Sequence, residues 1–148
     1  MASTLYTTDI LRMATEIPYR GRLEDADGRA DLRAPICGSR IAVDVRLDHA
    51  GRVTAFAQDV RACAMGQAAA HLLGADIIGR SGADLAPVAA QLADWLARPD
   101  APVPDWPGLL VLEPARAHPG RHAAICLPFE AAAAAIRAAG RTQGEGGS

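Results

Sequence analysis

Between Ile41 and Asp48 apolar and polar residues alternate without a break. Ile41, Val43, Val45 and Leu47 fall on one side, and Ala42, Asp44, Arg46 and Asp48 on the other. A two-residue period places all four large aliphatic side chains on one face, so this stretch predicts a half-buried β-strand. His49-Ala50-Gly51 follows, with a glycine where a tight turn favours positive φ, and Val53, Ala55 and Ala57 resume the alternation to about Val60. The two runs predict an antiparallel hairpin. Upstream, Ala30, Leu32 and Ala34 alternate with Asp31 and Arg33, which predicts a further strand joined by a short connection. Three such strands make an antiparallel meander whose apolar face needs a cover.

The remaining chain supplies helices for that cover. Thr7 to Thr15 reads as a capped helix, with Thr7 or Thr8 as N-cap, Asp9 near its positive end and Ile10, Leu11 and Ala14 on one face. Pro18 ends it, and residues 17–23 read as loop. After Cys63 the period changes, and Ala64 to Ile78 is Ala-rich and helix-compatible, with Gly66 and Gly74 as weak points. Gly79-Arg80-Ser81 breaks that segment. Ser81 and Asp84 then form a capping-box pattern that opens a second helix, whose stripe is Leu85, Val88, Ala89, Leu92, Trp95 and Leu96. Pro99, Pro102, Pro104 and Pro107 mark a surface loop, and Leu109 to Leu112 is a short apolar run compatible with strand or helix. Phe129 to Ala139 reads as a helix with Pro128 in its first turn. Trp95 and Trp106 read as packing residues, and the run Ala131–Ala135 as helix propensity. The order predicts an α+β fold: a three-stranded antiparallel sheet with helices packed on one face. Residues 1–139 form one domain, and 140–148 read as a flexible C-terminal tail.

Composition narrows the function classes. All 15 basic residues of this 148-residue chain are arginine, so no lysine is available for Schiff-base or general-base chemistry. A formal charge of −2 gives no electrostatic reason to expect nucleic acid or an anionic membrane as partner. The first residues lack the pattern of a secretory signal, and no unbroken run reaches the ~18 apolar residues of a membrane span. The expectation is a cytoplasmic protein with reduced thiols. There, three cysteines point to metal or sulfur chemistry more than to a disulfide.

The cysteines are not equivalent. Cys37 lies in the connection before the second strand, and Cys63 at the passage from the third strand into a helix. Because the second and third strands are hairpin partners, both positions fall at the same end of the sheet. Amides at the start of the helix after Cys63 are expected to lower its thiol pKa. Two thiolates are half of a tetrahedral site for zinc or iron. Cys126 and His122 carry further donor atoms, and they and Ser39 each have a plain reading. Cys126 reads as a small buried hydrophobe between Ile125 and Leu127, His122 as a loop histidine and Ser39 as a turn cap. His71 reads as a helix-face residue, and His49 belongs to the opposite end of the sheet. No histidine is placed as a base for a cysteine nucleophile, which ranks a thiol enzyme last.

Ala34-Pro35-Ile36-Cys37-Gly38-Ser39 is similar to the Asn-Pro-x-Cys-Gly-Asp motif of iron–sulfur cluster assembly scaffolds of the IscU, NifU N-terminal and SufU type. Val60-Arg61-Ala62-Cys63-Ala64-Met65-Gly66-Gln67-Ala68-Ala69 resembles their second motif, Gly-x-Gly-Cys-Ala-Ile-Ser-x-Ala-Ser, and Ile17-Pro18-Tyr19-Arg20-Gly21 resembles their early loop. Arg121 to Ala131 resembles the third motif of SufU-like members, Arg-x-x-Cys-x-x-Leu-x-Trp-x-Ala, through Arg121, Leu127, Phe129 and Ala131. In that register the family's cysteine falls on Ala124, with Cys126 two positions later, and its ligand aspartate falls on Ser39. The resemblance implies a scaffold that accepts sulfur or holds a labile Fe–S cluster or zinc at Cys37 and Cys63. A cysteine desulfurase and an Fe–S acceptor protein are its implied partners. The alternative is a degenerate paralogue with no metal or cluster, acting as a protein-interaction module.

Overall fold

The computed structural model describes residues 6–35 and 38–146, with side chains through residue 140. The elements are α1 (Thr8–Thr15), β1 (Gly28–Ala34), β2 (Ser39–Leu47), β3 (Val53–Arg61), α2 (Ala64–Asp76), α3 (Gly82–Ala97), 3₁₀ turns at Leu109–Ala117 and Pro119–Arg121, and α4 (His122–Gly146). The strands form one antiparallel sheet in the order β1-β2-β3.

Local chemistry accounts for each boundary. The Thr7 side chain accepts from the Ile10 amide and caps α1. At the β2–β3 turn, the Asp48 carboxylate accepts from the amides of Ala50 and Arg52, both at 2.9 Å, while Gly51 takes a φ of +84°. The Arg52 amide, with that of Ala50, holds the Asp48 carboxyl below the usual range. At α3 the Asp84 carboxylate accepts from both the amide and the hydroxyl of Ser81, completing the capping pattern visible in the sequence.

Ile41, Val43 and Val45 of β2 face the helices and are fully buried or nearly so. Helix α4 lies along β1 and β2, α2 packs between α1 and α4, and α3 packs on α4. With neighbours on several sides, α4 is small-chained where it is most enclosed, and Ala131, Ala132, Ala133 and Ala135 are all buried. Gly28 allows its backbone to meet the sheet. A Cβ there would collide with the Ala135 carbonyl oxygen and stand 2.6 Å from the Ala139 nitrogen. Trp106 closes another seam by donating its indole N–H to Leu72 O at 2.8 Å and meeting Phe129 edge-on at 5.5 Å between ring centres.

The start of α4 differs from the sequence expectation. The helix begins at His122, so Pro128 lies inside it and not in its first turn. A proline there has no amide to offer the carbonyl of Ala124, four residues earlier. Burial overrides that local cost, because Ala124, Ile125, Cys126 and Leu127 all enter the core. The backbone stays helical through Gly140 to Gly146, past the point where the sequence suggests a tail. Residues Pro119–Gly140 have the length and composition of a membrane-crossing helix, with mean hydropathy 1.4, although the sequence shows no unbroken apolar run of that length. In this fold 67% of that window is buried inside the protein, as a core helix.

The other sheet face is crossed by the segment between α1 and β1. Its residues Tyr19 and Gly21 hydrogen-bond to the backbone of Gln58, covering part of the β3 edge. Asp44, on that face, is fully buried. It accepts two bonds from Arg22 at 2.8 Å, one from the Leu23 amide at 2.9 Å, and pairs with Arg29 at 2.9 Å. Burial alone would push its carboxyl up, but the Arg22, Leu23 and Arg29 bonds outweigh burial and hold it below the usual carboxylate range.

Candidate functional site

Cys63 is the N-cap residue of α2. Its backbone is extended, at φ −65° and ψ 169°, and its carbonyl accepts the first helical bond from Gln67 at 2.9 Å. The thiol makes no capping bond and is half-buried. An N-cap side chain stands beside amides that have no partner within the helix, where an anion is favoured.

The register of the sheet brings the β1–β2 turn to the same end. Arg40 pairs with Arg61 across β2 and β3, two residues before Cys63, and Ala34 pairs with Ser39 across the turn. Gly38 adopts a φ of +74° and its amide donates to Ala34 O at 2.9 Å. That left-handed conformation is the reason for a glycine at this position. Cys37 lies outside the described residues. Ser39 begins β2 and is buried, at 3% exposure.

Ala124 reaches this region from α4. Its methyl group and its carbonyl oxygen both lie 3.2 Å from where a Cβ on Gly66 would stand. Gly66 is in the first turn of α2, three residues after Cys63. The position that corresponds to a third cysteine in the motif comparison is therefore against the thiol-bearing helix, and it carries a methyl group.

Cys126 is two residues further along, about 200° around the helix. It lines a different cavity of about 440 Å³, together with Arg33, Ala34, His122 and Glu130. Burial, with a smaller contribution from Glu130, pushes its thiol up to about 12, so it is protonated near neutral pH. His122 borders the same cavity as the first residue of α4, half-buried, not in a loop. Its Nε2 donates to the Ala115 carbonyl at 2.9 Å, which leaves Nδ1 as the acceptor in the neutral ring. His71 is fixed elsewhere, through Nδ1 to the Glu16 carbonyl at 2.6 Å.

Among the described residues, no group of three His, Cys, Asp or Glu side chains could hold a metal ion. The described donors therefore make no complete resident zinc site: Cys63 supplies one sulfur, Ala124 supplies none, and Cys126 and His122 belong to the separate cavity. An isolated buried polar atom, Gln58 Oε1, also lacks a partner. The Gln58 Nε2 donates to the carbonyls of Pro18 and Ala70 beneath α2. Sequence reasoning missed this buried residue, because a single glutamine in a strand looks like any solvent-facing position.

Residues 5–94 match the model of the NifU-like N terminal domain. The chain belongs to that family. The match ends within α3, so the NifU-like assignment is carried by the sheet, the β1–β2 turn and the Cys63 helix, while Ala124 and Cys126 lie beyond it. The crystal structure of a NifU-like protein (N-terminal) from Brucella abortus is similar over the whole fold. It is 29% identical, with a TM-score of 0.86, over 94% of this chain and 96% of that one. A protein described as an iron–sulfur cluster assembly scaffold for the SUF system, from Fervidobacterium islandicum, shares the fold. It has 14% identity and a TM-score of 0.80, over 92% of this chain and 99% of that one. A third structure, of a hypothetical protein, shares the fold at 19% identity with a TM-score of 0.69, over 92% and 99% of the two chains. The sequence matches no functionally curated protein.

Proposed function

We propose that this NifU-like chain serves iron–sulfur cluster assembly as a sulfur-accepting, scaffold-like protein, with Cys63 and Cys37 as its working thiols. The observation that carries the reading is the placement of Cys63. It is a half-exposed thiol at a helix N-terminus, free of any capping bond, at the end of the sheet where the β1–β2 turn also lies. Family membership and the scaffold described for the Fervidobacterium islandicum structure support it.

The chemistry asked of the thiol is modest. A thiolate attacks the outer sulfur of a persulfide carried by a cysteine desulfurase. The S–S bond breaks, the partner's thiolate leaves, and Cys63 carries the persulfide. A labile Fe–S cluster built on such sulfurs is cargo for an acceptor protein. The donor set favours exchange over retention, because Ala124 withholds a third sulfur.

The test is incubation with a cysteine desulfurase and L-cysteine, followed by intact-mass measurement and alkylation mapping. A gain of one sulfur atom at Cys63 or Cys37, lost in Cys37→Ser/Cys63→Ser, supports the reading. Absence of persulfide, and of colour after anaerobic addition of iron and sulfide, sinks it.

A second reading is favoured by Ala124 itself. A methyl at the third position, with Cys126 protonated in another cavity, is what a degenerate paralogue would show. That reading is a protein-interaction module without metal or cluster. It predicts that the Cys37→Ser/Cys63→Ser variant keeps partner binding and cellular function intact.

A further inference from the structure

The sheet face opposite the helices carries a row of three arginines at the thiol end. Arg33, Arg40 and Arg61 are register partners across β1, β2 and β3. Like charges directly opposite one another in a sheet repel, so such a row opposes folding unless something neutralises it. Among the described residues, Arg40 alone of the three forms an ion pair, bidentate with Asp31 at 2.6 and 2.9 Å. Arg33 and Arg61 are exposed and make no ion pair among the described residues. All three line one cavity of about 330 Å³ beside Gly38 and Ser39.

Further in, Arg22 and Arg29 converge on Asp44, and Asp59 lies one row inward from Arg61. With Arg46 at the far end of β2, six arginines thus meet three aspartates on this face, in a chain whose formal charge is −2. Arg33 and Arg61 share the outermost row, beside the turn and the start of α2.

We propose that this row is a docking surface for an acidic segment of a partner protein, one that presents two or more carboxylates. Adjacent strands lie about 4.8 Å apart, so the row spans roughly 10 Å between its outer backbones. Carboxylates on alternate residues of an extended segment, about 7 Å apart, reach across such a row. A single small oxyanion engages fewer of its guanidinium groups. Asp31 already holds the middle guanidinium, that of Arg40, so two separated carboxylates match Arg33 and Arg61 on either side of it. Docked there, the segment holds the partner against the end of the sheet that bears Cys63. The arginine row does not depend on the sulfur-transfer reading.

The probe is a fluorescein-labelled hexaglutamate peptide, titrated with the full chain and followed by anisotropy. Binding by the unaltered chain is expected to weaken as salt rises. Arg33→Gln/Arg61→Gln is expected to bind about tenfold more weakly, and Arg61→Gln to fall between, while Arg98→Gln, at the C-cap of α3, stays within about twofold. Circular dichroism confirms that each variant is folded. Equal weakening by Arg98→Gln, or unchanged binding in the double variant, overturns the proposal. So does displacement of the peptide by inorganic phosphate at equal anion concentration, which marks a small-anion pocket, or equal affinity for a six-nucleotide single-stranded DNA. The titration involves neither metal nor sulfur. Its failure leaves the sulfur-transfer reading standing, and the persulfide assay can fail without touching it.

Discussion

The methyl group of Ala124 lies 3.2 Å from where a Cβ on Gly66 would stand, so the first turns of α4 and α2 meet with almost nothing between them. This contact puts position 124 beside the thiol-bearing helix and explains why one substitution there should change what the site can hold.

Ala124→Cys adds a sulfur facing the first turn of α2. The variant is expected to hold zinc at least about tenfold more tightly than the unaltered chain, because each added thiolate contributes a short Zn–S bond. Equilibrium dialysis against zinc and a competing chelator measures the difference. Stability should fall by no more than about 1–2 kcal/mol, since the added sulfur overpacks a tight contact.

Gly66→Ala and Gly28→Ala should both destabilise, and unequally. At Gly66 a Cβ would stand 2.8 Å from the Ala62 methyl and 3.2 Å from Ala124. Overpacking of about 1–3 kcal/mol, less the ~1 kcal/mol gained in helix propensity, leaves a net loss of up to about 2 kcal/mol. At Gly28 the obstacle is the backbone of α4, which cannot rotate aside. A loss of more than about 3 kcal/mol is expected there. Urea unfolding of the two variants tests the ranking.

Asp44→Asn should cost about 2–3 kcal/mol. It leaves Arg22 and Arg29 without their carboxylate, a loss reduced from the value for fully buried pairs because Arg22 remains 51% exposed. The folded-state pKa of Asp44 is depressed, so its contribution is fully present above the unfolded value of ~3.9 and is lost as pH falls through the folded pKa. The unaltered chain should therefore lose its advantage over Asp44→Asn as pH drops below about 4. Urea midpoints of both proteins against pH show whether the curves converge.

Cys126 should react with iodoacetamide at pH 8 about a thousandfold more slowly in the native protein than in urea. Burial pushes its native thiol up to about 12, against ~8.5 when unfolded. Peptide mapping after timed alkylation gives both rates, with Cys63 as the accessible reference.

Much of this architecture is legible from short-range pattern alone. The alternation around Val43 sets the hairpin, Thr7 and Ser81 cap helices, and the loss of alternation after Cys63 marks α2. What pattern missed is long-range. Pro128 looks like a helix start because a proline costs an internal bond, but Ala124 to Leu127 gain enough from burial to extend the helix behind it. Asp44 looks like any polar residue on an open face. Only the return of Arg22 and Leu23 over the sheet makes it the buried centre of a clamp. At the site, sequence comparison located the Ala124 substitution, while the separate environment of Cys126 needed the helical turn and the cavity beside Ala34.

Helix α4 is keyed to its neighbours at two glycines. Ala124 meets Gly66 near one end of the sheet, and Ala135 and Ala139 meet Gly28 on β1. The two keys stand roughly 17–22 Å apart along the helix axis. A rod seated in two slots is held in register at both ends at once, and a slide by a turn would also part Phe129 from Trp106. The start of α2, where Cys63 stands, thus rests on a helix whose position is fixed at two points.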